Sequence, residues 1–276
     1  MNLRLLAVDV DGTLLRSDGT VAEEDRAAIA AALERGIAVT LATGRLSSSA
    51  MPFARSLALQ VPLVCADGAV LFCPTRNVPL AQTPLAGPGL GRLLRCLHEQ
   101  SLAPFVFTHE AVCGAANDFD RFPFVAGWTP VRAGHEDLAA AAAAQGTLAP
   151  ITAIGVGPEL AVLQAEERLR ADPAIADEVA VFPIRTTDHW VVRLTPSGCS
   201  KAQGLAQVTE QLSISANEVA TIGDWYNDVS MLKWAGWSFA MGQAPEEVKE
   251  AAKHSLRATA ETGGAVAEAL AHLGLC

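Results

Sequence analysis

Charge is scarce in this chain, and what there is leans acidic. Only 18% of the 276 residues are Asp, Glu, Lys or Arg, with 20 basic against 30 acidic side chains and a formal net charge of −10. That balance argues against nucleic acid and anionic membrane as partners, because both require a concentrated positive face. No C-x-x-C pair occurs among the six cysteines (65, 73, 96, 113, 199 and 276), most of which sit in apolar runs. Reduced, buried thiols in a cytosolic protein are therefore expected, and not disulfides or a thiolate metal site. No P-loop pattern is present, so nucleotide hydrolysis of that kind is unsupported. A long lipid-facing run is missing too. The longest uncharged stretch, Leu138 to Pro158, is broken by Gln145, Gly146, Pro150, Gly155 and Gly157, and reads as a helix end followed by a strand. At the N-terminus, Asp9 and Asp11 cut the first apolar run short of a signal-peptide core.

Half of the residues are hydrophobic, enough to bury a core, and the length allows one large domain or two ordinary ones. Leu3–Val8 is a short apolar run of the kind found in buried parallel strands. A helix is predicted from Ala22 to Arg35, with Thr20 and Glu23 at capping-box spacing and Gly36 at its C-terminal stop. Strand Ile37–Ala42, a helical stretch to Leu59 and strand Pro62–Cys65 follow, which makes a doubly wound parallel sheet. From Asn77 to Gly91 the absence of charge and the Pro and Gly content predict a linker. Beyond it, helices Leu90–Gln100, Asp137–Ala144 and Glu159–Arg170 mix with strands Pro104–Thr108, Ile151–Val156 and Val179–Pro183. The alternation then resumes with strand His189–Leu194, helix Ser200–Leu212, strand Glu218–Ile222, helix Tyr226–Ala235 and strand Trp237–Met241. The expected architecture is α/β: a Rossmann-like core of residues 1–83 and 187–276, interrupted by an α+β domain of residues 84–186.

Chemistry concentrates where predicted strands end, which is where open α/β sheets bind ligands. Asp9-Val-Asp11-Gly12-Thr13 follows the first strand. Two carboxylates at i and i+2 can divide the work of nucleophile and general acid/base. A surface Asp-Gly turn and a glycosyltransferase-like D-x-D are the competing readings. An EF-hand loop is excluded, because Thr13, Leu14 and Thr20 stand where an acidic or amide residue, Gly and Glu are required. Thr43-Gly44-Arg45 after the second strand offers a hydroxyl, a flexible amide and a helix start, which together suit a phosphate. Arg45 could reach a substrate anion or stand as an ordinary helix-surface residue. Lys201, in the first turn of a helix, opposes the helix dipole and needs either an anion or solvent. Asp224 and Asp228, in Gly223-Asp224-Trp225-Tyr226-Asn227-Asp228, could hold a hard cation through oxygen ligands together with Asp9, or, taken alone, simply cap a helix N-terminus. Without a cation the three carboxylates would raise one another's pKa, and Mg²⁺ suits such a set.

The ordered motifs Asp9-x-Asp11-Gly12-Thr13, Thr43-Gly44-Arg45, Lys201 and Gly223-Asp224-x-x-Asn227-Asp228-x-x-Met231-Leu232 resemble the haloacid dehalogenase superfamily. With the long insertion, they resemble its Cof-like sugar-phosphatase branch. The resemblance implies a Mg²⁺-dependent phosphatase of small phosphomonoesters, such as sugar phosphates. In it Asp9 would carry an aspartyl-phosphate and Asp11 would act as general acid and base. Thr43, Gly44, Arg45, Lys201 and Asn227 would face the phosphoryl group. Asp9, the Asp11 carbonyl, Asp224 and, in support, Asp228 would hold Mg²⁺. The insertion would be a cap that closes over the site. A phosphotransferase or phosphomutase on the same scaffold, and a phosphometabolite-binding protein with little turnover, are the alternatives. Asp67-Gly68 replaces the usual Asn-Gly, Ala202 a usual Gly, and Gln243 stands in the usual Gly-Asn-Ala turn. Trp225 and Tyr226 could stack on a planar leaving group such as a pyridoxal or flavin, with a packing role the favoured reading. His109, Asp118, Arg121, Arg185 and His189 are polar candidates for specificity.

Overall fold

The computed structural model describes residues 2–85, 87–129, 131–134, 138, 150–173, 175, 179–184 and 187–275. Its contacts divide the chain into two units, Met1–Ala81 with Ser200–Cys276, and Gln82–Cys199.

The first unit is built on five strands: β1 (Leu5–Val8), β2 (Ala38–Leu41), β12 (Val219–Gly223), β13 (Trp237–Ala240) and β14 (His254–Ser255). They lie in the order β14-β13-β12-β1-β2, all parallel. All four side chains of β1 are buried, as a central strand covered on both faces requires. Leu5 and Ala7 pack with Leu205, Val208 and Met231. Leu6 and Val8 alternate to the other face and are equally buried. Helix α1 (Glu23–Glu34) packs on β2, and the helix Ala265–His272 packs on α1 and β12.

Register fixes the site. Val8 is level with Ile222 on one side and Leu41 on the other, so β1, β2 and β12 release their loops from one edge. The chain runs from β1 to β2 in one direction, whereas β12, β13 and β14 extend in the other. The reversal between β1 and β12 is the crevice in which open α/β sheets bind ligands.

A second sheet, β3 (Leu63–Cys65), β4 (Val70–Cys73) and β5 (Val78–Gln82), joins β2 through the Ala42–Val64 bridge. It corrects the linker expected from Asn77. Asn77 is instead a left-handed turn residue (φ 56°) whose N–H donates to the Cys73 carbonyl, and β5 follows immediately. The low charge there reflects a half-buried strand.

The second unit carries a six-stranded sheet: β6 (Ala103–Phe107), β7 (Val112–Gly114), β8 (Arg132–Gly134), β9 (Thr152–Gly157), β10 (Val179–Pro183) and β11 (Trp190–Leu194), in the order β10-β11-β9-β6-β7-β8. Helices α2 (Gly87–Glu99) and α3 (Glu159–Arg170) bury Leu93, Leu97, Val162 and Leu169 against Val106, Ala153 and Val192 of this sheet. Strand β11 was expected to resume the core. It instead pairs antiparallel with both β9 and β10, so the return to the first unit comes at Ser200 and not at residue 187. The capping box also differs. No side chain caps α1, whose N-cap is Ala22, because the Thr20 hydroxyl is taken up in a tight turn with Asp18, 2.6 Å away.

The helix expected over Asp137–Ala144 lies, apart from Leu138, outside the described residues, as do Arg185 and Cys276. None of the other five cysteines is in a disulfide. Among the described residues no helix is long and apolar enough to cross a membrane.

Candidate active site

The Asp9 N–H donates to the Ile222 carbonyl at 3.0 Å, one rung beyond β1, which sets Asp9 beside the chain leaving β12. The chain then turns back sharply, with Leu14 N–H reaching the Asp9 carbonyl at 3.2 Å. Gly12 makes that turn at φ 83°, and a β-carbon there would lie 2.4 Å from Asp224 Oδ2. Gly12→Ala therefore combines a left-handed backbone penalty of about 1–2 kcal/mol with a clash against a buried carboxylate. The expected outcome is a lowered melting temperature and loss of turnover. A variant with wild-type melting and rate would show that the loop has room to move.

At the centre is a buried ion cluster. Lys201 opens the helix Lys201–Leu212, with Ser200 as N-cap accepting from Gln203 N–H. Its Nζ donates to Asp9 Oδ1 and Asp228 Oδ1, both at 2.6 Å. Lys201 and Asp228 are fully buried, Asp224 is 2% exposed and Asp9 5%. The lysine at a helix start thus finds anions, not solvent. Asp228 also accepts from the Asp224 and Trp225 N–H groups through Oδ2, each at 2.9 Å, closing the turn after β12. Gly68 permits this arrangement, because a β-carbon there would sit 2.1 Å from the Ser200 carbonyl.

Burial alone would lower the Lys201 pKa. Asp228, Asp9 and Asp67 outweigh it and hold the ammonium well above the ordinary lysine value, so it stays charged. Asp9 moves oppositely to the usual ion-pair case. Burial pushes its carboxyl well above the ordinary range, and Asp228 and Asp224 add to that, while Lys201 only partly offsets it. One oxygen each of Asp9, Asp224 and Asp228 lies within 4.8 Å of the others. Three carboxylates and one ammonium leave two negative charges in a buried space, which one divalent cation would cancel. The donor set fits a hard, oxygen-binding cation.

The remaining expected residues form a second layer. Asp11 is exposed, and its carboxylate is held in a two-point fork by Arg45, Nε to Oδ2 at 2.7 Å and Nη2 to Oδ1 at 2.6 Å. Arg45, expected to reach a substrate anion, is thus engaged by Asp11, and its guanidinium also lies over the Phe53 ring. Thr43 is buried, with Oγ1 accepting from Arg45 N–H at 3.0 Å. Asp67 N–H donates to the Thr43 carbonyl, and the Asp67 carboxylate accepts from Asn227 Nδ2 at 2.8 Å. Thr43, Gly44, Asp67 and Asn227 are therefore linked.

Gln243 is the residue whose part went unread. Its Nε2 donates to the Gly12 carbonyl at 2.7 Å and reaches Asp224 Oδ2 at 3.4 Å, while its Oε1 accepts from Ala260 N–H. The one available signal was its place in a turn where Gly-Asn-Ala is usual. Tyr226 is 53% exposed and meets the Trp225 ring edge-on. In the other unit His109 pairs with Glu110, Asp118 with Arg121, and His189 packs edge-on against Phe122.

Known proteins match this chain along nearly its whole length. It is 29% identical over 276 residues to the 5-amino-6-(5-phospho-D-ribitylamino)uracil phosphatase YcsE of Bacillus subtilis, covering 99% of this chain and 96% of that one. It is 25% identical over 252 residues to the pyridoxal phosphate phosphatase YbhA of Escherichia coli, covering 90% and 91%. The crystal structure of a haloacid dehalogenase-like hydrolase from Bacteroides thetaiotaomicron superposes with a TM-score of 0.82 at 24% identity, covering 98% and 99%. The family model of the haloacid dehalogenase-like hydrolases matches residues 6–270. A sheet that reverses direction between β1 and β12, with its carboxylates at that edge, is thus accompanied by a match that spans both segments of the core and the insertion: the chain belongs to the haloacid dehalogenase-like hydrolases, in their Cof-like branch.

Proposed function

We propose that this phosphatase hydrolyses small phosphomonoesters through an aspartyl-phosphate on Asp9, with Mg²⁺ as the cation of the carboxylate cluster. The observation that carries the reading is the Lys201 bridge, which leaves Asp9 one oxygen bonded at Oδ1 and the other, Oδ2, for attack. Asp9, Asp224, Asp228 and the Asp11 carbonyl would hold that cation, which when bound would supply charge neutralisation around the transferring phosphoryl group.

In the first step Asp9 Oδ2 forms a bond to phosphorus as the ester P–O bond breaks. Asp11 passes a proton to the departing alkoxide. In the second step Asp11 takes a proton from a water molecule that attacks the same phosphorus, the Asp9–phosphorus bond breaks, and inorganic phosphate leaves. Lys201 donates to the nucleophile and partly offsets the effect of its burial, and it faces the charge that spreads over the phosphoryl oxygens. The Arg45 fork holds the Asp11 carboxylate at two points, and a substrate anion that draws the guanidinium away frees Asp11 to carry a proton. Thr43 and Asn227 complete the phosphate side.

The substrate class follows from the company the chain keeps. Two relatives of nearly full length act on phosphorylated small metabolites, so sugar phosphates and related phosphometabolites are the compounds to try. Phosphate release should be measured across a panel of sugar phosphates, flavin mononucleotide and pyridoxal phosphate, with Mg²⁺ and again with excess EDTA. Turnover of at least one compound is expected, falling by more than about 100-fold in EDTA. Equal rates with and without chelator would sink the metal-dependent mechanism.

A further inference from the structure

Three loops meet at one side-chain amide. Gln243 follows β13, and the backbone before it is pinned from both sides. Met241 N–H donates to the Gly223 carbonyl at 3.0 Å and Gly242 N–H to the Ala258 carbonyl at 2.8 Å. Gly242 has little room for a side chain, because a β-carbon there would stand 3.0–3.2 Å from the carbonyls of Arg257, Leu256 and Ala258. From this fixed base the Gln243 side chain reaches three segments. Its Nε2 carries two hydrogens. It donates to the Gly12 carbonyl at 2.7 Å and reaches Asp224 Oδ2 at 3.4 Å. Its Oε1 accepts from Ala260 N–H at 3.2 Å, and the Ala260 carbonyl in turn accepts from Ser17 N–H at 2.7 Å.

The two acceptors of Nε2 are neighbours. Asp224 Oδ2 is the atom that a β-carbon at Gly12 would strike, so the amide ties the turn after Asp9 to the carboxylate after β12. Asp224 is 2% exposed and stands with Asp9 and Asp228 in the acidic cluster. Hydrogen bonds to a metal-ligating carboxylate fix its orientation and tune its affinity for the metal. A neutral Gln supplies such a bond without adding charge to a cluster that is already negative. We propose that Gln243 is a positioning residue for the cation site, its amide locking Asp224 against the Gly12 turn so that the carboxylates meet Mg²⁺ already oriented. The inference rests on the Mg²⁺-dependent phosphatase reading and adds to it a residue that presets the site.

Gln243 is itself exposed, so replacing its side chain opens no core cavity. Metal-stripped wild type, Gln243→Met and Gln243→Asn would each be titrated calorimetrically with MgCl₂, alongside kcat as a function of Mg²⁺ and the melting temperature in EDTA. Gln243→Met keeps the length and removes the amide. Its Mg²⁺ dissociation constant should rise by about tenfold. Its kcat at saturating Mg²⁺ should fall by less than that, and its melting in EDTA should stay near the wild-type value. Gln243→Asn keeps the amide on a stem one methylene shorter, which cannot span Ala260 N–H and the Gly12 carbonyl together. Its Mg²⁺ affinity should lie between those of wild type and Gln243→Met. Equal Mg²⁺ affinity in wild type and Gln243→Met, with wild type turning over normally, would overturn the positioning role and leave the phosphatase reading standing. A lower melting temperature in EDTA with Mg²⁺ affinity unchanged would reduce Gln243 to a loop brace and overturn that role too. A wild type that neither binds Mg²⁺ nor releases phosphate from any ester would overturn the phosphatase reading itself.

Discussion

Asp9→Asn should fold normally and lose turnover by at least about 10⁴-fold, the scale seen when a covalent nucleophile is removed. The carboxylate oxygen must form a bond to phosphorus, and an amide has no comparable electron pair to offer. The fold should survive because the exchange is isosteric and removes a charge that burial, Asp228 and Asp224 all disfavour. Lys201 retains Asp228 as a partner at 2.6 Å. The experiment pairs a rate with a trapping measurement. Wild type quenched during turnover of a ³²P-labelled ester should carry label on the protein, and the variant should carry none. If wild type and Asp9→Asn released phosphate at the same low rate, Asp9 would not be the nucleophile. Label on the variant would move the covalent step to another residue.

Much of the core could be read before the structure because parallel strands buried on both faces must be apolar along their length. Leu5–Val8 is such a run, and Ala38–Leu41 is one apart from the buried Thr40, and the polar residues that follow them mark the edge where the loops emerge. Composition says nothing about which sheet a buried strand joins. Trp190–Leu194 has the same apolar character as the core strands, yet its partners are antiparallel neighbours in the second unit. Local spacing failed at Thr20 for a related reason, since a capping pattern competes with the turn that Asp18 can make over the same residues. At the site, the sequence required that Lys201 find an anion or solvent, and the structure supplies two anions. The Arg45 fork on Asp11 spans 34 positions in the chain and the Asp67–Asn227 bond 160. No periodicity links residues so far apart. Only the common edge of β1, β2 and β12 does.

Lys201→Met should damage stability as well as chemistry, which distinguishes it from Asp9→Asn. The ammonium is fully buried between Asp9 and Asp228. Its loss leaves two carboxylates facing each other with Asp224 nearby. Breaking a buried ion pair by removing one partner costs about 3–5 kcal/mol, or roughly 10 °C in melting temperature for a protein of this size. Turnover should fall by about 10³-fold, because charge on the transferring phosphoryl group loses a fixed donor. Lys201→Arg should not restore it, since a planar fork needs more width than a fully buried site shaped around one ammonium provides. The decisive comparison is melting with and without Mg²⁺. A divalent cation neutralises the same carboxylates that Lys201 does, so Mg²⁺ should raise the melting temperature of Lys201→Met by more than it raises that of wild type. If Mg²⁺ stabilised both equally, lysine and cation would be acting on separate charges, and the single balanced cluster inferred from Asp9, Asp224, Asp228 and Lys201 would be wrong.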